Sequence, residues 1–239
     1  MNQRANSLIG LMILLGLAVG RAGADPASPR IFWATQPGAE ALDVADGGGN
    51  PFAGALTELL NREKLDYATL VAELPALTEK KSFGRQVPQM PPAPLDWRIR
   101  PVSAGEKRVG LIVMFSDYPA EGSVPSLPGA RKDAIRLTAA FKAAGFETQT
   151  LLNPKAEELR KSLKTFAAHS AEAAAAAIYV TGHGAEINGA VYLLPGEYPF
   201  AAGESALSLH AVALTEWVSA LWARRVNLLF YGGCRDNPF

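Results

Sequence analysis

Cysteine is almost absent from this sequence: Cys234 is the only one in 239 residues. A lone thiol cannot close an internal disulfide, so no covalent framework holds the fold. Histidine is scarce too, with three residues, and His169 and His210 stand in helical context without a second ligand at a metal-binding spacing. They read as surface or capping residues, and no metal site or cofactor is expected. Net charge is missing, since Lys plus Arg and Asp plus Glu both number 23. Without a basic field, no nucleic-acid partner is expected. Gly47-Gly-Gly-Asn50 lacks the Lys-Ser/Thr of a phosphate-binding loop. The apolar run from Leu8 to Val19 is shorter than the roughly 20 residues that cross a bilayer. It follows Arg4 and precedes Arg21-Ala-Gly-Ala24, the build of a secretory signal with a small-residue cleavage site. Residues 1–24 are therefore read as a signal peptide cut after Ala24. The expected location is periplasmic or secreted, with no stable membrane insertion once the signal is gone.

With 49% apolar residues, the rest of the chain can bury one sizeable α/β core. A first block, residues 25–87, opens with a strand from Arg30 that stops at Pro37-Gly38. Asn50 then caps a helix with Pro51 at its first position, and Asp66 starts a second helix that Pro75 should bend or end. Gly84 to Pro88 is expected as an edge strand. Residues 88–107 hold Pro88, Pro91, Pro92, Pro94 and Pro101 without apolar periodicity, and read as a linker.

The second block, residues 108–239, alternates strands and helices, which predicts a mostly parallel sheet. Strands are expected at Arg108–Phe115, Phe146–Leu152 and Val226–Tyr231, with helices before Phe141, after Pro154 and from Ser208 through Leu221. The alanine run from Ala173 to Ala177 could end a helix or begin a strand. Asn188-Gly189 between apolar residues signals a hairpin.

Two stretches share one design. Ala177 to Gly184 is an apolar strand ending in His183 between glycines, and Val226 to Cys234 is an apolar strand ending in two glycines and the thiol. Catalytic groups in open α/β sheets collect at the carboxyl ends of strands. If the two strands are neighbours, His183 faces Cys234, and imidazole is a suitable base for a thiol.

Thr181-Gly-His-Gly-Ala185 and Gly233-Cys-Arg-Asp-Asn-Pro-Phe239 resemble the histidine and cysteine motifs of caspase-like peptidases, particularly bacterial caspase-domain proteins and metacaspases. The first block also resembles that family, in Ala34-Thr-Gln-Pro-Gly38, Asn50-Pro-Phe52 and Gly84-Arg-Gln-Val-Pro88. These are similar to its small-subunit region, which ordinarily follows the cysteine and here precedes it. The order is similar to that of type III metacaspases, in effect a circular permutation. The implied fold is a three-layer α/β/α sandwich with a mostly parallel sheet, joined into one domain by the proline-rich linker.

The resemblance implies a cysteine endopeptidase acting on proteins or peptides. Cys234 would be the nucleophile, His183 the acid–base group, and the backbone N–H groups of Gly184 and Cys234 the oxyanion donors. Arg235 would add positive potential near the thiolate. Metacaspases prefer Arg or Lys before the cut and use two acidic residues in that pocket. The first corresponds to Asp133, which could otherwise simply cap a helix from Ala134. The second is replaced by Gly232. The family's calcium ligands cannot be mapped here. Because Cys234 is followed only by Arg235 to Phe239, its loop is expected to be free to rearrange, and the chain to be active uncut. The reading from another class is a caspase-fold binding module without hydrolysis.

Overall fold

A computed structural model describes residues 28–44, 48–91, 95–119 and 124–239; the expected signal peptide lies outside them. In chain order the elements are β1 (Arg30–Trp33), α1 (Pro51–Leu60), β2 (Leu65–Asp66), α2 (Tyr67–Lys81), β3 (Arg98–Arg100), β4 (Arg108–Met114), α3 (Pro128–Ala143) and β5 (Glu147–Leu152). There follow α4 (Ala156–Ala171), β6 (Ala175–Thr181), β7 (His183–Ile187), β8 (Ala190–Leu194), a 3-10 turn at Phe200–Ala206, α5 (Leu207–His210), β9 (Val212–Ala213), α6 (Leu214–Val218) and β10 (Val226–Tyr231).

Five strands form the central sheet in the order β1-β10-β6-β4-β5, and every neighbouring pair is parallel. Side chains alternate between its faces. Leu228 and Phe230 join Phe32, Tyr179, Leu56 and Leu137 in the core beneath α1, α2 and α3. Leu229 and Tyr231 join Ile178, Val180, Leu163 and Trp217 in the core beneath α4 and α6. This is the expected three-layer α/β/α arrangement around a parallel sheet. The hairpin at Asn188-Gly189 joins β7 to β8, and β9 adds to β8, giving a small antiparallel sheet. Among the described residues no helix is long and apolar enough to cross a membrane.

Local signals were reliable where chemistry was local. Asn50 caps α1, its side-chain oxygen accepting from the N–H groups of Phe52 and Ala53. Asp66 caps α2 by accepting from Thr69 N–H at 2.7 Å. The alanine run resolves in favour of strand from Ala175, because β10 and β4 flank it on both sides.

Four expectations need correction. Pro75 neither ends nor breaks α2, which runs on to Lys81 with Leu70, Leu74 and Thr78 buried on both sides of it. Packing of that face outweighs the lost backbone hydrogen bond. Residues 84–88 do not form a strand; the contact shifts to one antiparallel bridge between Gln89 and Trp33. Helix from Ser208 to Leu221 is interrupted because the open edge of β8 recruits Val212 and Ala213 as strand. Residues 88–107 are no plain linker. Trp97 is buried, β3 pairs antiparallel with β2, and Arg108 holds the segment by donating to the carbonyls of Arg98 and Ile99.

Candidate active site

Strands β6 and β10 are neighbours in register, with Val180 opposite Tyr231, so both leave the sheet at the same carboxyl edge. The ladder continues one step as Gly232 N–H donates to Val180 O at 2.7 Å, and the Thr181 hydroxyl donates to Gly232 O at 3.1 Å. Beyond these bonds the chains diverge. Gly182 turns one into β7, placing His183 at the start of that strand rather than the end of β6. Gly233 leads the other to Cys234.

Cys234, His183 and Asp133 line one cavity of about 60 Å³, together with Ala41, Leu42, Asp43, Thr181 and Gly232. A larger groove of about 350 Å³ between α4 and α6, walled by Arg160, Leu163 and Glu216, holds none of them. Gly184 also belongs to the site. A side chain there would stand 2.4 Å from the Cys234 carbonyl and 3.1 Å from its amide nitrogen, so only glycine lets the two backbones meet.

The imidazole is fixed from two directions. His183 Nε2 lies 2.8 Å from Pro125 O. A carbonyl only accepts, so Nε2 carries the proton and Nδ1 is the basic nitrogen. Tyr118 completes the support. Its ring meets the imidazole edge-on at 4.5 Å, and its hydroxyl accepts from His183 N–H while donating to Leu194 O.

The thiol is held differently. Ala41 N–H donates to Sγ at 3.3 Å, and Ala41 O lies 3.7 Å from the same sulfur. Among the described residues no hydrogen bond joins Sγ to His183. Burial pushes the Cys234 thiol up to about 11, helped by the negative charges of Asp236 and Glu40 and opposed by the Ala41 N–H. Burial also pushes the His183 imidazole down, against the Pro125 carbonyl and the charges of Asp43 and Asp236. Both shifts favour a neutral thiol beside a neutral imidazole.

Asp133 is fully buried inside α3, which begins at Pro128, so it is no helix cap. Its Oδ2 accepts from Asn50 N–H at 2.8 Å and its Oδ1 is ion-paired with Arg136. Burial raises its carboxyl to about 6, countered by Arg136 and by the Asn50 N–H.

Arg235 does not face the sulfur. Its Nε bonds Glu186 at 2.8 Å, its Nη1 donates to Gln89 at 2.7 Å, and its guanidinium stacks 4.1 Å over Trp33. Arg235 N–H donates to Ala39 O, Gly38 N–H to Arg235 O, and Glu186 N–H to Asp236 O. Phe239 packs on Tyr198. The expectation of a loosely tethered cysteine loop is thus corrected: packing ties down the residues after Cys234 on both sides.

Several site residues went unread in the sequence. Pro125 and Ala41 act through backbone atoms, which carry no residue signature. Tyr118 and Asp43 are isolated polar residues without a motif, and Gln86, whose side chain accepts from Leu42 N–H and donates to Ala34 O, was read only as part of an edge strand.

The model of the caspase-domain peptidase family matches residues 107–235, more than half of the 239-residue chain, and spans His183 and Cys234. The chain belongs to that family, whose members are cysteine peptidases. No curated protein matches the chain closely enough to be reported as a relative.

Proposed function

We propose that this chain is a cysteine endopeptidase in which Cys234 attacks the scissile carbonyl and His183 moves the proton. The observation that carries this reading is the meeting of Cys234, His183 and Gly184 at the carboxyl edge of adjacent parallel strands. Substrate displaces Ala41 from Sγ. The sulfur then bonds the carbonyl carbon while its proton passes to Nδ1 of His183, and the N–H groups of Gly184 and Cys234 hold the oxyanion. The imidazolium gives that proton to the departing amine, leaving a thioester. Water attacks it with His183 as base, which regenerates the thiol.

Two finer features belong to the same proposal. Asp133 in the cavity wall supports a preference for Arg or Lys before the cut. The parallel pairing of β1 with β10 supports a rearranged order of the type III metacaspase kind, in which the region that ordinarily follows the cysteine strand comes first. Export through the leading 24 residues is part of this reading and rests on their sequence alone.

The experiment is peptide hydrolysis by single and double variants. Cys234→Ala and His183→Ala should each lower kcat/KM by roughly 10³-fold or more, with little further loss in the double variant, since the pair acts as one unit. Full activity in either single variant overturns the assignment. A binding module without hydrolysis is favoured by one observation, that Sγ of Cys234 is engaged by the Ala41 N–H at 3.3 Å and not by His183. It predicts no turnover in the unaltered chain while the chain still captures peptides.

A further inference from the structure

We propose that a cavity formed by β2, β3 and the start of α2 binds a phosphate monoester through Lys64, Arg98 and Arg100. This is a second site, away from the cysteine, and it stands or falls apart from the peptidase reading. Arg108, the first residue of β4, holds the backbone of β3 at the amino-terminal end of the sheet, whereas Cys234 and His183 follow strands that leave the carboxyl edge.

The local sequence explains the placement. In Arg98-Ile99-Arg100 the two-residue period of a strand sends the arginines to one face and Ile99 to the other. Ile99 is buried in the core, and Arg98 and Arg100 line a cavity of about 440 Å³ together with Lys64. The backbone that carries them is fixed from several sides. Leu65 and Asp66 pair with Arg100 and Arg98, Arg108 donates to Ile99 O at 2.6 Å and to Arg98 O at 3.0 Å, and Tyr67 N–H donates to Trp97 O at 2.9 Å. A site held in place before its ligand arrives loses less entropy on binding.

Charge names the ligand. Arg100 donates from Nη1 to Leu60 O at 3.1 Å, and among the described residues the side chains of Lys64 and Arg98 have no hydrogen-bond or ion-pair partner. Asp66 is the carboxylate that lines the same cavity, and it accepts from Thr69 N–H at 2.7 Å. That bond already caps α2, so the site is made of cationic side chains and not of a helix terminus. Three cations against one carboxylate leave two positive charges, which a phosphate monoester matches above its second pKa of about 6. Guanidinium forks fit phosphate oxygens in pairs, and an ammonium adds a point charge. The volume lies within the roughly 300–1,000 Å³ of small-molecule sites, with Leu65 and Pro101 as apolar wall for the organic group that carries the phosphate.

Calorimetric titration of the chain with glycerol 3-phosphate, against glycerol as the neutral control, tests the site. The phosphate ester should bind saturably and glycerol should not. Arg98→Gln and Lys64→Gln change exposed side chains that hold nothing in the fold, and each should weaken binding by about tenfold or more.

A second arm separates a soluble ester from a lipid headgroup of the same chemistry. The chain is sedimented with phosphatidylcholine vesicles containing phosphatidic acid, and with vesicles containing phosphatidylserine at equal charge. Binding of glycerol 3-phosphate that both substitutions weaken upholds the site as one for a soluble ester. Selective binding of phosphatidic acid vesicles that both substitutions weaken upholds it as one for a headgroup. The proposal is overturned by no binding in either arm, by binding that the substitutions leave unchanged, or by vesicle binding alone that is equal for the two lipids.

Discussion

Two buried charged clusters sit on this sheet, one at Arg108 and one at Asp133, and they differ in how completely their polar atoms are matched. Arg108 is 2% exposed. Its Nε bonds Glu106, its Nη1 donates to Ile99 O and Ala144 O, and its Nη2 donates to Arg98 O. Trp97 covers the guanidinium at 4.8 Å and Phe146 at 5.8 Å. The Asp133 cluster is as deeply buried, yet it borders a cavity, sits beside the unpartnered Tyr179 hydroxyl, and holds a carboxyl that burial drives up to about 6. A fully matched cluster fixes structure and has no capacity left for a ligand. An incompletely matched one, open to a cavity, still has that capacity.

Removing a member of each cluster should therefore act on different quantities. The largest effect on folding is expected from Arg108→Ala, which leaves the Glu106 carboxylate with only the Trp97 indole N–H and releases the segment at Trp97. Breaking such a buried pair typically lowers stability by about 3–5 kcal/mol. Urea unfolding measures it, and on the proposed function the ratio of kcat/KM for a peptide with Arg before the cut to that for one with its neutral isostere citrulline should not move in the folded variant. A loss well under that range would remove the contrast.

A smaller and opposite response is expected from Asp133→Asn. The folded carboxyl titrates at about 6, above its ordinary 3.8, so folding disfavours the ionised form. The contribution of this group to stability is then greatest below pH 3.8 and is lost as pH rises through about 6. The Asn variant lacks that decline and should unfold no more easily at neutral pH. Its specificity should suffer instead. In the unaltered chain, on the proposed function, the Arg-over-citrulline ratio should climb as pH rises through about 6 and Asp133 gains its charge. Asp133→Asn should abolish the climb and lower the neutral-pH ratio by about tenfold. Because His183 serves both peptides, its titration cancels in the ratio.

The sheet, and the neighbouring strand ends that carry His183 and Cys234, were legible because their signals are local. Val226–Tyr231 is apolar except for Asn227 and is followed by two glycines, and Thr181-Gly-His-Gly184 marks the neighbouring strand end in the same way. Residues whose role depends on a distant partner were not legible. Trp97 is buried because Arg108 reaches it across the sheet end, and the surrounding prolines hide that in a stretch that reads as linker. Asp43 lies 191 positions before Cys234 and meets it only through the fold. The state of the thiol was beyond the sequence as well. The Cys-His pairing suggested an activated sulfur, whereas burial favours the neutral thiol and outweighs the Ala41 N–H that favours the thiolate.

The central claim is that Cys234 forms a covalent bond to substrate with His183 as its proton carrier. Trapping the intermediate tests it most directly. The chain is mixed with an Arg-ended peptide ester, quenched in acid within the first turnover, digested and mapped by mass spectrometry. The account predicts an acyl group in thioester linkage on Cys234, accumulating far more slowly in His183→Ala. Ester turnover with Cys234 unmodified throughout, or continuing in Cys234→Ala, would contradict it.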